Sequence, residues 1–240
     1  MSTISELKPN AMMETGEVSP FGGQIIRESV SQQAYLAIRS SLMRSRLKPG
    51  QKLVVRQVAD DLGISVTPVR ESLLRLVAEH ALALDERGTV VVPTLTLERC
   101  IEIRDLRMLV EGEGAARAAK LATNSEIYEL SAIHDRYVRT EQNSDFAVAL
   151  TENENFHFGL CRLAKSPALF RIVENLWMQF GPILSYLYDS KSRPFHGQKH
   201  AHVRVIEALR KHDPELARKA IRQDILIGGK TLLDKFKPGT

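Results

Sequence analysis

The sequence predicts a mainly α-helical chain in two parts: an N-terminal winged helix-turn-helix with a small β-hairpin wing, then a C-terminal all-helical antiparallel bundle. Three observations predict it. Apolar residues recur at helical spacing through most of the chain. One stretch, "LALDERGTVVVP" at 82–93, reads instead as two short β-like runs around a charged turn with one glycine. No proline interrupts the chain between Pro93 and Pro167, where long helical runs begin.

Element by element, residues 1–30 are polar, hold Gly16, Pro20, Gly22 and Gly23, and read as a flexible tail. "QAYLAIRSSLMRSRL" (33–47) places apolar residues at 35, 38, 42 and 47, a helix that "KPG" (48–50) stops. A short helix near 55–62 ends at Gly63. The next spans 65–79, with Ser65 as N-cap, Thr67 as a second hydroxyl and Pro68 in the first turn, where a missing N–H costs nothing. These elements and the hairpin form one domain, 31–94. A helical domain, 95–236, follows with helices near 97–121, 125–142, 145–164, 168–190 (interrupted at Gly181-Pro182), 198–211 and 214–236. Asp213-Pro214-Glu215 reads as the start of the last one.

Composition sets outer bounds. The chain has 240 residues, 43% hydrophobic and 26% charged, with a net charge of +4. That mild basicity is compatible with a nucleic-acid partner. The apolar runs are too short to span a bilayer, so no membrane partner is expected. "MSTISELKPNAMMETGEV" lacks a basic start and an apolar signal core, which reads as cytoplasmic. Cys100 and Cys161 make no disulfide framework and read as buried small hydrophobes.

Two groups of residues carry chemistry. Residues 31–96 hold nine Lys/Arg against six Asp/Glu. Ser65, Thr67 and Arg70 fall in the first turns of the second helix of the pair, the element that enters a major groove. Hydroxyls and a helix N-terminus hold phosphate, and Arg also pairs with guanine edges. Arg56 opens the preceding helix; Arg87 and Gly88 sit at the wing tip. The plainer alternative is an ordinary cap beside a solvated basic face.

The second group lies in the helical part. In helix 145–164, Asn153 and His157 fill the gap in a stripe of Phe146, Ala149, Leu150, Leu160 and Ala164. His202 begins the stripe of Val205, Ile206 and Leu209. Asp224 interrupts the stripe of Ala217, Ile221 and Ile227. Three helices thus aim polar groups at one interior. A buried carboxylate costs several kcal/mol unless paired, so Asp224 needs a partner. Two imidazoles, a carboxylate and an amide suit a divalent metal such as Zn²⁺, Mn²⁺ or Ni²⁺, or a hydrogen-bonded polar core without one. Glu154 can reach the same edge. His196, His200 and His212 fall off the stripes and read as surface. Arg107 and Glu111 stand four apart on one helix.

"LVVRQVADDLGISVTPVRESLLRLVAEHALALDERGTVVV" (53–92) resembles the DNA-binding domain of GntR-type bacterial regulators. The resemblance implies DNA contacts by Arg56, Ser65, Thr67, Arg70 and Gly88. Val66 departs from it, since the family usually has Arg there; a valine can still touch a thymine methyl. Residues 97–236 resemble the FCD ligand-binding domain of the FadR branch, through "RMLVEGEGAARAA" (107–119), "NENFHFGL" (153–160), "HVRVIEAL" (202–209) and "DPELARKAIRQDI" (213–225). Many members hold a metal with one Asp and three His. Asn153, His157, His202 and Asp224 occupy those positions here, so one carboxylate has moved. Arg107 and Glu111 read alone as an exposed pair, whereas the resemblance places Arg107 inside, near an effector; Tyr186, Tyr188, Trp177 and Asn175 either shape that pocket or are core residues. The implied protein is a homodimeric repressor that binds a palindromic double-stranded operator and is controlled by a small carboxylate. A metal-dependent hydrolase or lyase using His157, His202 and Asp224 is the rival reading, without an HExxH motif or a recognisable nucleophile. An architectural DNA-binding protein with an inert helical dimeriser is the third.

Overall fold

The computed structural model describes residues 30–189, 200–234 and 236. The tail read over 1–30 and His196 lie outside the described residues, apart from Val30. Helix α1 (Val30–Met43) buries Ala34, Tyr35, Ile38, Leu42 and Met43. It stops four residues before the expected end at 47, because Ser45 turns into the left-handed region at φ 56°. The Ser45 hydroxyl holds that turn, donating to Gly181 O at 2.6 Å and accepting from Ser185 N–H at 3.0 Å.

Helix α2 (Val55–Leu62) ends at Gly63, whose φ of 65° gives the left-handed cap that glycine adopts freely. Helix α3 (Val66–Ala78) follows and buries Val69, Ser72, Leu73 and Leu76. The expected hairpin, β2 (Ala83–Leu84) and β3 (Val90–Val91), gains a third strand, β1 (Lys52–Leu53), in the antiparallel order β1-β3-β2. Lys52 and Ala83 flank Val91 on its two sides. A two-residue strand is too short to show alternation, so the sequence pattern does not predict β1.

The helical part is α4 (Leu97–Leu121), α5 (Asn124–Gln142), α6 (Phe146–Leu163), α7 (Pro167–Phe180), a 3-10 turn at Gly181–Ile183, α8 (Tyr186–Asp189), α9 (Ala201–Arg210) and α10 (Pro214–Asp234). Caps set its boundaries: Thr96 accepts from Arg99 N–H, Thr123 and Glu126 form a capping box, and Asp145 accepts from Val148 N–H. Ala115, Ala118 and Ala119 of α4 share a core with Phe156, Leu160, Val205, Leu209, Ala217 and Ile221. Small side chains on α4 let the neighbouring helices approach closely around it.

A second core runs unbroken from α1–α3 into α7 and the 3-10 turn, joining Leu42 and Leu73 to Trp177 and Phe180. Ion pairs cross the same junction: Arg39 with Glu174, and Arg44 Nε with Glu154 Oε2 at 2.9 Å. Glu154 is therefore drawn to α1 rather than to the edge occupied by His157. Among the described residues, no helix is long and apolar enough to cross a membrane.

Candidate DNA interface and candidate effector site

Arg56, Ser65, Thr67, Arg70, Arg87 and Gly88 are all exposed. Val66 is half-buried and packs on the core, so it presents less of itself outward than its neighbours. Ser65 stands at the N-cap position of α3 with extended backbone, but its side chain makes no capping bond. The expected cap bond is thus absent, which leaves the hydroxyl and the first-turn N–H groups available to an outside oxygen. At the wing tip, the Asp85 carboxylate accepts from Arg87 N–H at 3.0 Å and Thr89 N–H at 2.9 Å, while Gly88 takes φ 74°. The Thr89 amide, then the Lys52 ammonium and the Arg87 amide, hold the Asp85 carboxyl below its usual range. The tip is therefore a rigid turn that presents Arg87 and a side chain-free backbone at Gly88.

The interior site is built from six helices, α4, α5, α6, α7, α9 and α10. Glu111 of α4, 0% exposed, accepts from Arg107 Nε at 2.6 Å and from Trp177 Nε1 at 3.1 Å through one oxygen. Its other oxygen lies 2.6 Å from His157 Nδ1. His157 Nε2 lies 3.1 Å from Asp224 Oδ2. Arg107–Glu111–His157–Asp224 is thus a buried chain of contacts across α4, α6 and α10, in which His157 lies between two carboxylates. Burial pushes the Glu111 carboxyl up, but Arg107 and His157 outweigh it and leave it at about 2. Burial pulls His157 down, and Glu111 and Asp224 more than offset this, so its pKa is raised.

Three further imidazoles adjoin Asp224. His202 Nε2 is 3.8 Å from Asp224 Oδ2, and His200 Nδ1 is 3.7 Å from Asp224 Oδ1. His134 completes the group from α5. Burial lowers all three; His200 falls to about 4. Two overlapping groups, His157–His202–Asp224 and His134–His200–His202, each bring their ligand atoms within 4.8 Å of one another. Among the described residues, His134 Nδ1, both His202 nitrogens and Asp224 Oδ1 are buried without a hydrogen-bond partner. Each such group costs about 1–3 kcal/mol.

The structure brings Arg107, Glu111, His157, His202 and Asp224 together, and Asn153 lines a cavity with Arg107, His157 and Asp224. That cavity measures about 30 Å³, room for one or two waters. Its apolar wall includes Phe180, Leu184 and Leu187. His200 corrects an expectation: it is buried, not on the surface. Helix α9 begins at Ala201 rather than 198, so His200 is its N-cap, accepting from His202 N–H at 3.1 Å, and a helical stripe does not apply to it. Asn175 also differs from expectation, donating to Glu79 O at the junction of the two parts at 3.2 Å. Tyr186 and Tyr188 pack on the core and are absent from the walls of this cavity. Sequence reasoning misses His134, yet it continues the buried stripe Ile127, Leu130, Tyr137, and that periodicity is enough to find it.

A winged helix-turn-helix joined to a helical bundle with a polar interior defines a ligand-responsive DNA-binding protein. Residues 30–92 match the bacterial regulatory proteins of the gntR family, and residues 102–226 match the FCD domain. The chain belongs to the GntR family and carries an FCD domain; it is a transcription regulator and not an enzyme, and the hydrolase reading is not supported. It is 30% identical over 171 residues to the HTH-type transcriptional regulator McbR of Escherichia coli strain K12, spanning 71% of this chain and 77% of that protein. To the HTH-type transcriptional repressor RspR of the same strain it is 24% identical over 201 residues, 82% of this chain and 86% of that protein. The solved structure of E. coli McbR/YncC superimposes with a TM-score of 0.81 at 26% identity, over 88% of this chain and 100% of that one. A putative GntR regulator from Rhodococcus sp. RHA1 shares the fold, with a TM-score of 0.70 at 19% identity over 86% and 99% of the two chains.

Proposed function

We propose that the chain is a homodimeric repressor that releases a palindromic operator when a small carboxylate binds beside Arg107. In this reading residues 31–94 grip DNA and residues 95–236 bind the effector and dimerise. The single observation that carries the effector half is Arg107. It is 4% exposed, stacks 4.2 Å over the Trp177 ring, and is hydrogen-bonded through Nε alone among the described residues. A buried guanidinium with two terminal nitrogens uncommitted is suited to bidentate capture of a carboxylate. Glu111, Asn153, His157, His202 and Asp224 surround that position. The cavity is smaller than an organic acid, so binding has to move its wall, and that movement is what the DNA-binding half would sense. The relative RspR is named a repressor, which favours repression over activation.

A divalent cation such as Zn²⁺, Mn²⁺ or Ni²⁺ suits the donor chemistry of this interior. Asn153, His157, His202 and Asp224 are the positions that the family resemblance puts forward for it. When bound, the cation supplies a second anchor for the carboxylate.

A thermal-shift screen of sugar acids, hydroxy acids, amino acids and acyl compounds tests the effector half. A fitting acid at a hundred times its Kd stabilises the fold by about 2.7 kcal/mol. The same acid should weaken operator binding, and Arg107→Ala should abolish both effects. An acid that stabilises the protein without changing operator affinity would refute the coupling.

On the DNA side, Ser65, Val66, Thr67 and Arg70 of the α3 region, with Arg56, Arg87 and Gly88, form the contact surface. Arg70→Ala is expected to weaken every operator by roughly tenfold and to reduce the salt slope by about 1 for each phosphate that Arg70 neutralises. Fluorescence anisotropy at several salt concentrations reads both. Unchanged affinity removes α3 from the interface.

A further inference from the structure

The cavity beside Arg107 and the DNA-binding half meet at one short stretch of chain. Phe180, Leu184 and Leu187 line the cavity with Arg107 and His157. The Arg107 guanidinium also lies 5.3 Å from the centre of the Phe180 ring. Between these wall residues runs the 3-10 turn Gly181–Ile183, and the end of α1 holds it. The Ser45 hydroxyl donates to Gly181 O at 2.6 Å, lies 3.1 Å from Pro182 O and accepts from Ser185 N–H at 3.0 Å. Ser45 is buried, and buried hydrogen bonds are costly to leave unmade, so the turn and the helix end move together. One residue earlier, Arg44 Nε pairs with Glu154 Oε2 at 2.9 Å. Glu154 follows Asn153 and precedes His157 by one turn of α6, and both of those residues line the cavity. Two adjacent residues at the end of α1 thus grip two elements that wall the cavity.

Helix α1 is in turn fastened to α3. Ser72 Oγ lies 2.7 Å from Ser31 O, and Arg75 Nη1 donates to Gln32 Oε1 at 2.8 Å. The Arg75 guanidinium lies 3.7 Å from the centre of the Tyr35 ring. Leu42, Leu73 and Phe180 belong to one core. A close-packed core passes a displacement on, since it has few voids to absorb it. A shift of the turn therefore carries α1 and α3, and with them Thr67 and Arg70, as one body. The two halves also meet at Asn175, which donates to Glu79 O at 3.2 Å but stands outside the cavity wall.

We propose that Ser45 couples the effector cavity to the DNA-binding helix. Its hydroxyl clasps the turn at 181–185, so a ligand that pushes Phe180, Leu184 and Leu187 outward moves α3 through α1. Arg44 with Glu154 is the second grip, and Asn175 is no part of the relay. This rests on the reading that an acid enters beside Arg107, and it names the part that passes on the acid's arrival.

The relay is tested in the full chain without a ligand, by altering the wall instead of pushing it. Backbone hydrogen exchange, read by peptide mass spectrometry, compares wild type, Leu187→Ala, Ser45→Gly and the double variant. Glycine adopts the left-handed backbone of Ser45 freely, so Ser45→Gly removes the hydroxyl without adding strain. Leu187→Ala is expected to speed exchange in α1 and α3 by at least about twofold, the low end for groups coupled through a shared contact. Helix α5, which packs in the other core, is the reference for any general loss of stability. In the Ser45→Gly background the same wall change should still speed exchange over residues 183–188. There it should leave α1 and α3 at the rates of Ser45→Gly alone. Ser45→Asn suits the left-handed region and keeps a donor and an acceptor, so it should restore part of the response. Asn175→Ala should leave the response intact. If Leu187→Ala folds poorly, Leu187→Val makes a smaller void at the same place. The proposal is overturned if α1 and α3 answer equally with and without the Ser45 hydroxyl, or do not answer in the wild-type background. Equal loss of the response in Asn175→Ala overturns it too. No acid or operator enters the measurement, so a failed relay leaves the effector reading standing, and a failed acid screen leaves the mechanical link intact.

Discussion

Glu111→Ala is expected to destabilise the chain by about 3–5 kcal/mol, the usual cost of removing one member of a buried ion pair. Unfolding followed by circular dichroism should show a fall in Tm of roughly 2–4 °C per kcal/mol for a domain of this size. The reason is that three donors are left without their acceptor together: Arg107 Nε, Trp177 Nε1 and His157 Nδ1. Arg107 would remain a buried cation without its counter-ion, and burial would favour the neutral ring of His157. A loss below about 1 kcal/mol would mean that the chain of contacts is not coupled as described. The pH profile of the metal-free wild type follows from the same interior. Glu111 has its pKa depressed from 4.5 to about 2, so its stabilisation is present above 4.5 and is lost only as pH falls through about 2. His200 is depressed from 6.5 to about 4; as a group buried neutral, its cost of charging appears as pH falls from 6.5 toward 4. Acid destabilisation should therefore begin with His134, His200 and His202, whose pKa values are lowered, and not with His157, whose pKa is raised. His200→Asn, which preserves an N-cap acceptor, should lose less stability over that interval when urea unfolding is measured at each pH.

Gly181→Ala should be the other large effect. A Cβ there would stand 2.5 Å from the Leu42 carbonyl oxygen and 2.6 Å from Met43 Cα. Both are backbone atoms at the end of α1 and cannot swing aside. The expected loss is about 1–3 kcal/mol, and more if α1 cannot shift. The backbone of Gly181 itself, at φ −50°, would accept alanine, so the penalty is one of space alone. Because Gly181 O also receives the Ser45 hydroxyl, the variant should loosen α1 from the helical part. Hydrogen exchange along α1, faster than in the wild type, is the measurement that checks it; unchanged exchange with unchanged stability would show that the approach is not close.

Why the polar interior is legible in sequence while its extent is not has a physical explanation. Asn153, His157 and Asp224 each break an apolar stripe and His202 begins one, and a stripe is a local property of one helix. The same rule reaches His134 once α5 is phased on Ile127, Leu130 and Tyr137. It cannot reach His200, which lies outside any helix and is buried through the cap it provides. The pairing of Arg44 with Glu154 spans 110 residues and depends on how α1 docks, which no local period encodes. Ser65 teaches the converse: its position before α3 is readable, but whether its hydroxyl turns to the helix is not. Strand β1 exists only because Val91 lies beside it.

The docking of α1 has a consequence for how the protein searches a genome. Of the nine basic residues between 31 and 96, Arg39 and Arg44 neutralise Glu174 and Glu154 of the helical part, while Lys52 and Arg75 face Asp85 and Glu79. Arg46, Lys48, Arg56, Arg70 and Arg87 remain outside any ion pair among the described residues. Each phosphate they neutralise expels condensed counterions worth a slope of about −0.9 in log K against log salt. In the homodimeric reading proposed above, these five cations per chain set the ceiling on the salt-sensitive, sequence-blind part of DNA binding, because the arginines that hold α1 to the helical part are already committed to carboxylates.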